Sequence, residues 1–130
     1  MVFARFCAFV FCCCVLGTAT GAVEWDCSAT NGVFTLSSDC LVGSAVVVTG
    51  TLHITGADGY VPKILGNGST RLFQIRTGGR VSLTNLLLTG GRVSVSDCAA
   101  PYSGCGGGAV HVENGQLNVT KCSVTDNAGY

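Results

Sequence analysis

Charge is scarce in this chain. Among 130 residues only 14 are Lys, Arg, Asp or Glu, and the two signs balance at 7 each. A balanced, sparse charge gives no bias toward nucleic acid or an anionic membrane surface. It also excludes a disordered chain, which would be more charged and less hydrophobic. No CxxC pair is present and both histidines lie away from the cysteines, which argues against zinc. What is plentiful is Val, Thr, Ser and Gly. With 19 glycines and 2 prolines, that composition suits one modest β domain with many turns.

One phrase occurs three times: Gly-x-(Leu/Val)-x-(Ile/Leu/Val)-Thr. The copies begin at Gly50, Gly79 and Gly115 and end at Thr55, Thr84 and Thr120. Each is a glycine turn followed by a strand of alternating apolar residues. Repetition at a few tens of residues marks a solenoid. If Leu52, Val81 and Leu117 point inward, so do Ile54, Leu83 and Val119, while His53, Ser82 and Asn118 point outward. The neighbouring strands are expected to set Phe73 between Val46 and Val110, Leu86 above Ile64, and Cys122 above Leu86.

The copies are separated by 29 and 36 residues. The longer interval contains 92–105, with Pro101, Gly104 and two cysteines, which reads as a lateral loop. Removing those 14 residues leaves 22, a single coil. The expected fold is therefore all-β, a right-handed parallel β-helix of about three coils over 45–130, preceded by an N-terminal cap at 23–44. Trp25 and the Val33-Phe34-Thr35-Leu36 stretch belong to that cap, which covers apolar surface that a first coil would otherwise expose.

Residues 1–22 differ from the rest. Arg5 precedes an uninterrupted apolar run from Phe6 to Leu16, and small uncharged residues follow to Ala22. This is the order of a secretory signal peptide, with cleavage favoured after Ala22 and with Gly21 and Ala19 as alternatives. A retained anchor is the competing reading, although the run is shorter than the roughly 20 apolar residues that span a bilayer. Removal of the leader leaves Cys27, Cys40, Cys98, Cys105 and Cys122. An oxidising compartment permits disulfides, and the local candidates are Cys27 with Cys40 and Cys98 with Cys105.

Val81 to Gly91, Gly106 to Val112 and Gly115 to Asn127 together resemble the right-handed parallel β-helix repeats of the pectin-lyase-like superfamily. They are most similar to the repeats of polymorphic outer-membrane proteins, which carry a Gly-Gly-Ala-(Ile/Leu/Val) motif and a Phe-x-x-Asn motif. Gly107-Gly108-Ala109-Val110 matches the first. Val124-Thr125-Asp126-Asn127 matches the second in its asparagine, with valine in place of phenylalanine. The resemblance covers about Ser44 to Tyr130 and implies a fold more than an activity. The superfamily includes polysaccharide lyases, glycoside hydrolases, adhesins and passenger domains. Its lyases cluster aspartates for calcium beside an arginine base, whereas Asp58, Asp97 and Asp126 are isolated in turns here.

The polar residues left over by the repeat are few. Arg71, Arg76, Arg80 and Arg92 bracket the second coil; they are either solvated turn residues or a cationic strip for uronate-rich polysaccharide, since guanidinium pairs bidentately with carboxylate. His53 and His111 would need a carboxylate in reach to act as bases, with Asp58 and Glu113 nearest in sequence. The glycines at 104 and 106–108 lack the Lys-(Ser/Thr) of a phosphate loop. Asn67-Gly68-Ser69 and Asn118-Val119-Thr120 are acceptor sequons for N-glycosylation. Cys122 takes an inner-ladder position and reads as an inert core thiol.

The expected function is a non-catalytic secreted or cell-surface scaffold for adhesion or display, with no cofactor. The alternatives are the N-terminal part of a polysaccharide-active enzyme and a carbohydrate-binding surface. The expected partners are polysaccharide or cell-surface glycan, and further β-helix coils of the same or another chain, because no C-terminal cap is visible and open edge strands invite association.

Overall fold

The computed structural model describes residues 23–93 and 107–128. The leader at 1–22, most of the loop expected at 92–105, and Cys98 with Cys105 lie outside the described residues. Twelve short strands follow one another in the described residues. They are β1 Val23–Glu24, β2 Gly32–Leu36, β3 Cys40–Val42, β4 Val46–Val48, β5 Thr51–Gly56 and β6 Lys63–Gly66. Then come β7 Phe73–Ile75, β8 Arg80–Thr84, β9 Leu87–Thr89, β10 Val110–Val112, β11 Gln116–Thr120 and β12 Ser123–Thr125. The described residues contain no helix. The strands are short because glycine or polar turns interrupt each β-branched run after a few residues.

The strands form three sheets: β11-β8-β5-β2-β1, β10-β7-β4 and β12-β9-β6-β3. Every pairing between these strands is parallel. From β2 to β9, each strand pairs with the strand three places further along the chain. The described residues are therefore all-β, in three parallel sheets.

The register follows the repeated phrase. Leu52 pairs with Val81 and Val81 with Leu117; Ile54 pairs with Leu83 and Leu83 with Val119. Phe73 lies between Val46 and Val110. Leu52, Ile54 and Leu83 have no exposed surface, and Val81 has almost none. Their alternation with exposed or half-buried His53 and Ser82 is the period-two signature of a sheet with one buried face. Each fully buried Leu, Ile or Phe contributes on the order of 1.5–3 kcal/mol of hydrophobic stabilisation. The ladder weakens at its far end: Val119 is 45% exposed and Val124 55%. They sit on β11 and β12, edge strands that no described strand covers.

Two expectations on register and organisation change. Leu88, not Leu86, pairs with Ile64, and Lys63 pairs with Leu87. The backbone N–H of Leu87 bonds the carbonyl of Pro62, which seats Leu86 beside Pro62. The strands enter two residues earlier than apolar matching alone suggests. The segment expected as a cap also supplies two regular strands. Gly32 to Leu36 pairs with Leu52 to Gly56, and Cys40 to Val42 pairs with Ile64 to Gly66. Among the described residues, β1, Trp25 and the turn residues up to Asn31 precede them. Trp25 is buried, its indole stacks on Phe73 at 5.9 Å, and its Nε1 donates to the Ala29 carbonyl at 3.1 Å. The Cys27–Cys40 disulfide closes this end, with 5.8 Å between Cα atoms.

Turns repeat with the strands. Asn85 and Lys121 each follow an in-register threonine, and both hold positive φ, 57° and 53°. Gly90 and Asp126 occupy the equivalent place after Thr89 and Thr125, at 78° and 53°. The left-handed bend belongs to the architecture, and glycine is one of several residues that fill it. Asn85 compensates its strain by donating from Nδ2 to the carbonyls of Ala57 at 3.2 Å and Tyr60 at 3.3 Å. At Gly66 the requirement is closeness: a Cβ there would collide with the Gly90 carbonyl.

Asn127 closes the last described turn. Its Oδ1 accepts from the Gly91 N–H at 2.7 Å. Its Nδ2 donates to the carbonyls of Leu88 at 3.0 Å and Thr125 at 2.8 Å. The asparagine of the Val124–Asn127 motif is thus a backbone brace between successive strands.

Candidate functional site on the five-stranded sheet

Outward side chains on the five-stranded sheet fall into columns by register. One runs Thr51, Arg80, Gln116; the next runs Val33, His53, Ser82, Asn118; the third runs Thr35, Thr55, Thr84, Thr120. The first two columns border a groove of about 190 Å³ lined by Thr51, His53, Arg80, Ser82, Gln116 and Asn118 along with the edge of Val81. Its side chains are hydroxyl, amide, imidazole and guanidinium groups. No carboxylate among the described residues lines it. Chemically it can donate hydrogen bonds to oxygen-rich or anionic groups and present one fixed cation.

The four arginines do not make a single strip. Arg71 is 5% exposed, and its Nε donates to the Gly107 carbonyl at 3.2 Å. Arg76 and Arg92 are exposed, and Arg92 forms a parallel bridge with Ala128, so the chain is still paired where the loop was expected to start. Arg80 alone of the four lines the groove.

The histidines are also separated. His53 belongs to the groove, while His111 pairs with Gln74 on the three-stranded sheet. His111 Nδ1 is buried without a hydrogen-bond partner. Neither histidine makes a hydrogen bond or ion pair to Asp58 or Glu113 among the described residues. No group of three or more His, Cys, Asp or Glu gathers to hold a metal among those residues.

The two sequons differ in geometry. Asn67 is tied into its turn: Oδ1 accepts from Ser69 N–H at 2.9 Å and from Ser69 Oγ at 2.8 Å, and Nδ2 donates to the Gly43 carbonyl at 3.1 Å. Asn118 is exposed mid-strand on β11, and its amide has no hydrogen-bond partner among the described residues. Cys122 is a half-buried free thiol whose Sγ donates to the Leu83 carbonyl at 3.4 Å. That contact suits the inner-ladder position expected for it.

Two further features bear on the chemistry. An apolar cavity of about 340 Å³ opens at the end formed by β10, β11 and β12, with Leu83, Leu88, Leu117, Val119 and Val124 in its wall. At the opposite end, Asp26 caps a tight turn through the N–H groups of Ser28 and Ala29. Those bonds, Ser28 first, hold its carboxyl below the ordinary aspartate value. Thr51 and Gln116 enter the groove through register alone. The alternation places them outward, but nothing in residue type singles them out.

No family model, no curated protein and no solved structure matched the chain. The groove is therefore interpreted from its own geometry. The Cys27–Cys40 disulfide is a bond that persists in oxidising compartments. No helix among the described residues is long and apolar enough to cross a membrane.

Proposed function

We propose that the chain is a right-handed parallel β-helix of the pectin-lyase-like kind, acting as a secreted or cell-surface scaffold for adhesion and display. One observation carries the reading: from β2 to β9, every strand has a parallel partner three strands further along the chain. Chain that visits three sheets in turn and returns one strand spacing further on builds a stack of coils about 4.8 Å apart. Sheet twist favours right-handed crossovers in such a path. The leader-like residues 1–22 and the Cys27–Cys40 disulfide both suit an extracellular setting. The open edges of β10, β11 and β12, with the apolar cavity between them, suit the addition of further coils from the same or another chain.

The groove favours a second reading, a carbohydrate-binding surface. Its donors match the hydroxyl and carboxylate acceptors of polysaccharide or cell-surface glycan. Both readings are tested by immobilising the secreted chain, measuring cell attachment and glycan-array binding, and assaying the bound glycans for cleavage. Retention with the glycan intact is the expected result. Release of shortened or unsaturated products would replace the scaffold with a polysaccharide-active enzyme.

A further inference from the structure

We propose that Asn118 is an N-glycan attachment site and that its glycan lies across the groove of the five-stranded sheet, controlling access to His53 and Arg80. The proposal rests on the secreted location argued above. Asn118 begins the sequon Asn118-Val119-Thr120 on β11. Its side chain is exposed, directed outward and without a hydrogen-bond partner among the described residues, and it shares the groove wall with His53, Arg80, Ser82 and Gln116. Register sets it beside Ser82, which in turn adjoins His53. A sugar joined there starts from the groove wall itself, on the face that carries His53 and Arg80. β11 is also an edge strand, so an outward glycan at Asn118 leaves its backbone edge open.

Asn67 provides the internal contrast. Its amide already donates to Gly43, and its Oδ1 accepts from Ser69. A glycan on Asn67 would crowd a turn that the fold uses, whereas one on Asn118 disturbs no described contact. The chemistry requires a lipid-pyrophosphate-linked oligosaccharide as co-reactant. Asn118 Nδ2 attacks the anomeric carbon, the new C–N bond forms as the C–O bond to pyrophosphate breaks, and the lipid pyrophosphate leaves with the electron pair. The amide proton passes to the base of the transferase.

The test is expression of the full chain in a glycosylating secretory cell, followed by release of the glycan with a peptide-N-glycan amidase in heavy-oxygen water, which hydrolyses the Asn–glycan C–N bond to leave a labelled Asp, and peptide mass spectrometry. The expected result is heavy-oxygen label at position 118, lost in Thr120→Ala, which keeps Asn118 but destroys the sequon. Histidine acylation by diethylpyrocarbonate supplies a second readout: His53 should react severalfold faster in Thr120→Ala than in the glycosylated chain, with His111 unchanged. Secreted protein without label at 118 overturns the site while leaving the scaffold reading intact. Labelled protein with equal His53 reactivity overturns the control of access. A chain retained in the cytosol overturns the site together with the extracellular reading.

Discussion

Tyr60 donates its phenolic hydroxyl to Asp39 Oδ1 at 2.7 Å, and the same oxygen accepts the Lys63 N–H at 2.9 Å. Asp39 precedes β3 and Lys63 opens β6, so one carboxylate fixes the entry of two adjacent strands. The bond acts on both titrations. The Lys63 N–H first, and then Tyr60, hold the Asp39 carboxyl below the ordinary value of 3.8. The hydrogen bond to Asp39 pushes the Tyr60 phenol above 10.0.

The signs differ. The stabilisation from Asp39 is present above the ordinary aspartate value and is lost as pH falls through the lower folded value. The stabilisation from Tyr60 is present below the ordinary phenol value and is lost as pH rises through the higher folded value. Asp39→Asn should therefore flatten part of the acid limb of a stability–pH curve, and Tyr60→Phe part of the alkaline limb. Both groups are exposed, so the changes are small ones. Denaturation midpoints across pH check this; an acid limb identical in Asp39→Asn and the parent would contradict it.

Asn127 bridges Gly91, Leu88 and Thr125 through three backbone hydrogen bonds. Asn127→Ala leaves those groups without the partner they have now, at a cost of about 1–3 kcal/mol. Asn127→Asp retains the acceptor for Gly91 but loses the donors to the two carbonyls, and should be destabilised as well. Urea unfolding of the two variants measures the loss. Parent-like midpoints in both would show that the motif asparagine is dispensable.

The Cys27–Cys40 disulfide spans 13 residues and closes the end where Trp25 covers the core. A closed loop of that size restricts the unfolded chain by about 3 kcal/mol. Reduction, or replacement of both cysteines by serine, should lower stability by that order without changing the strand register. Equal denaturant midpoints with and without reductant would argue against the bridge as a staple.

Much of the fold is legible in the residues. The thrice-repeated phrase identifies β5, β8 and β11, and alternation alone orients Leu52, Ile54, Val81 and Leu83 inward. Other parts depend on forces that composition does not carry. The two-residue shift of Leu86 against Ile64 is set by backbone bonding at Pro62. β2 lacks the leading glycine–threonine phrase, so Gly32 to Leu36 reads as cap although its alternation suffices for a strand. Lys121 fills a left-handed bend that residue preference assigns to glycine, asparagine or aspartate. The groove was half legible. His53, Ser82 and Asn118 face outward by period, but Arg71 and Arg80 look alike in sequence and only packing buries one of them.

Chain segments tens of residues apart lie side by side in parallel register. Nuclear Overhauser measurements on isotope-labelled protein test it directly. The expected result is Hα-to-amide contacts in parallel-strand patterns linking the strand containing Ile54 to that of Leu83, and the latter to that of Val119. Close Hα-to-Hα contacts of antiparallel pairs between these segments, or no contact between them at all, would contradict it.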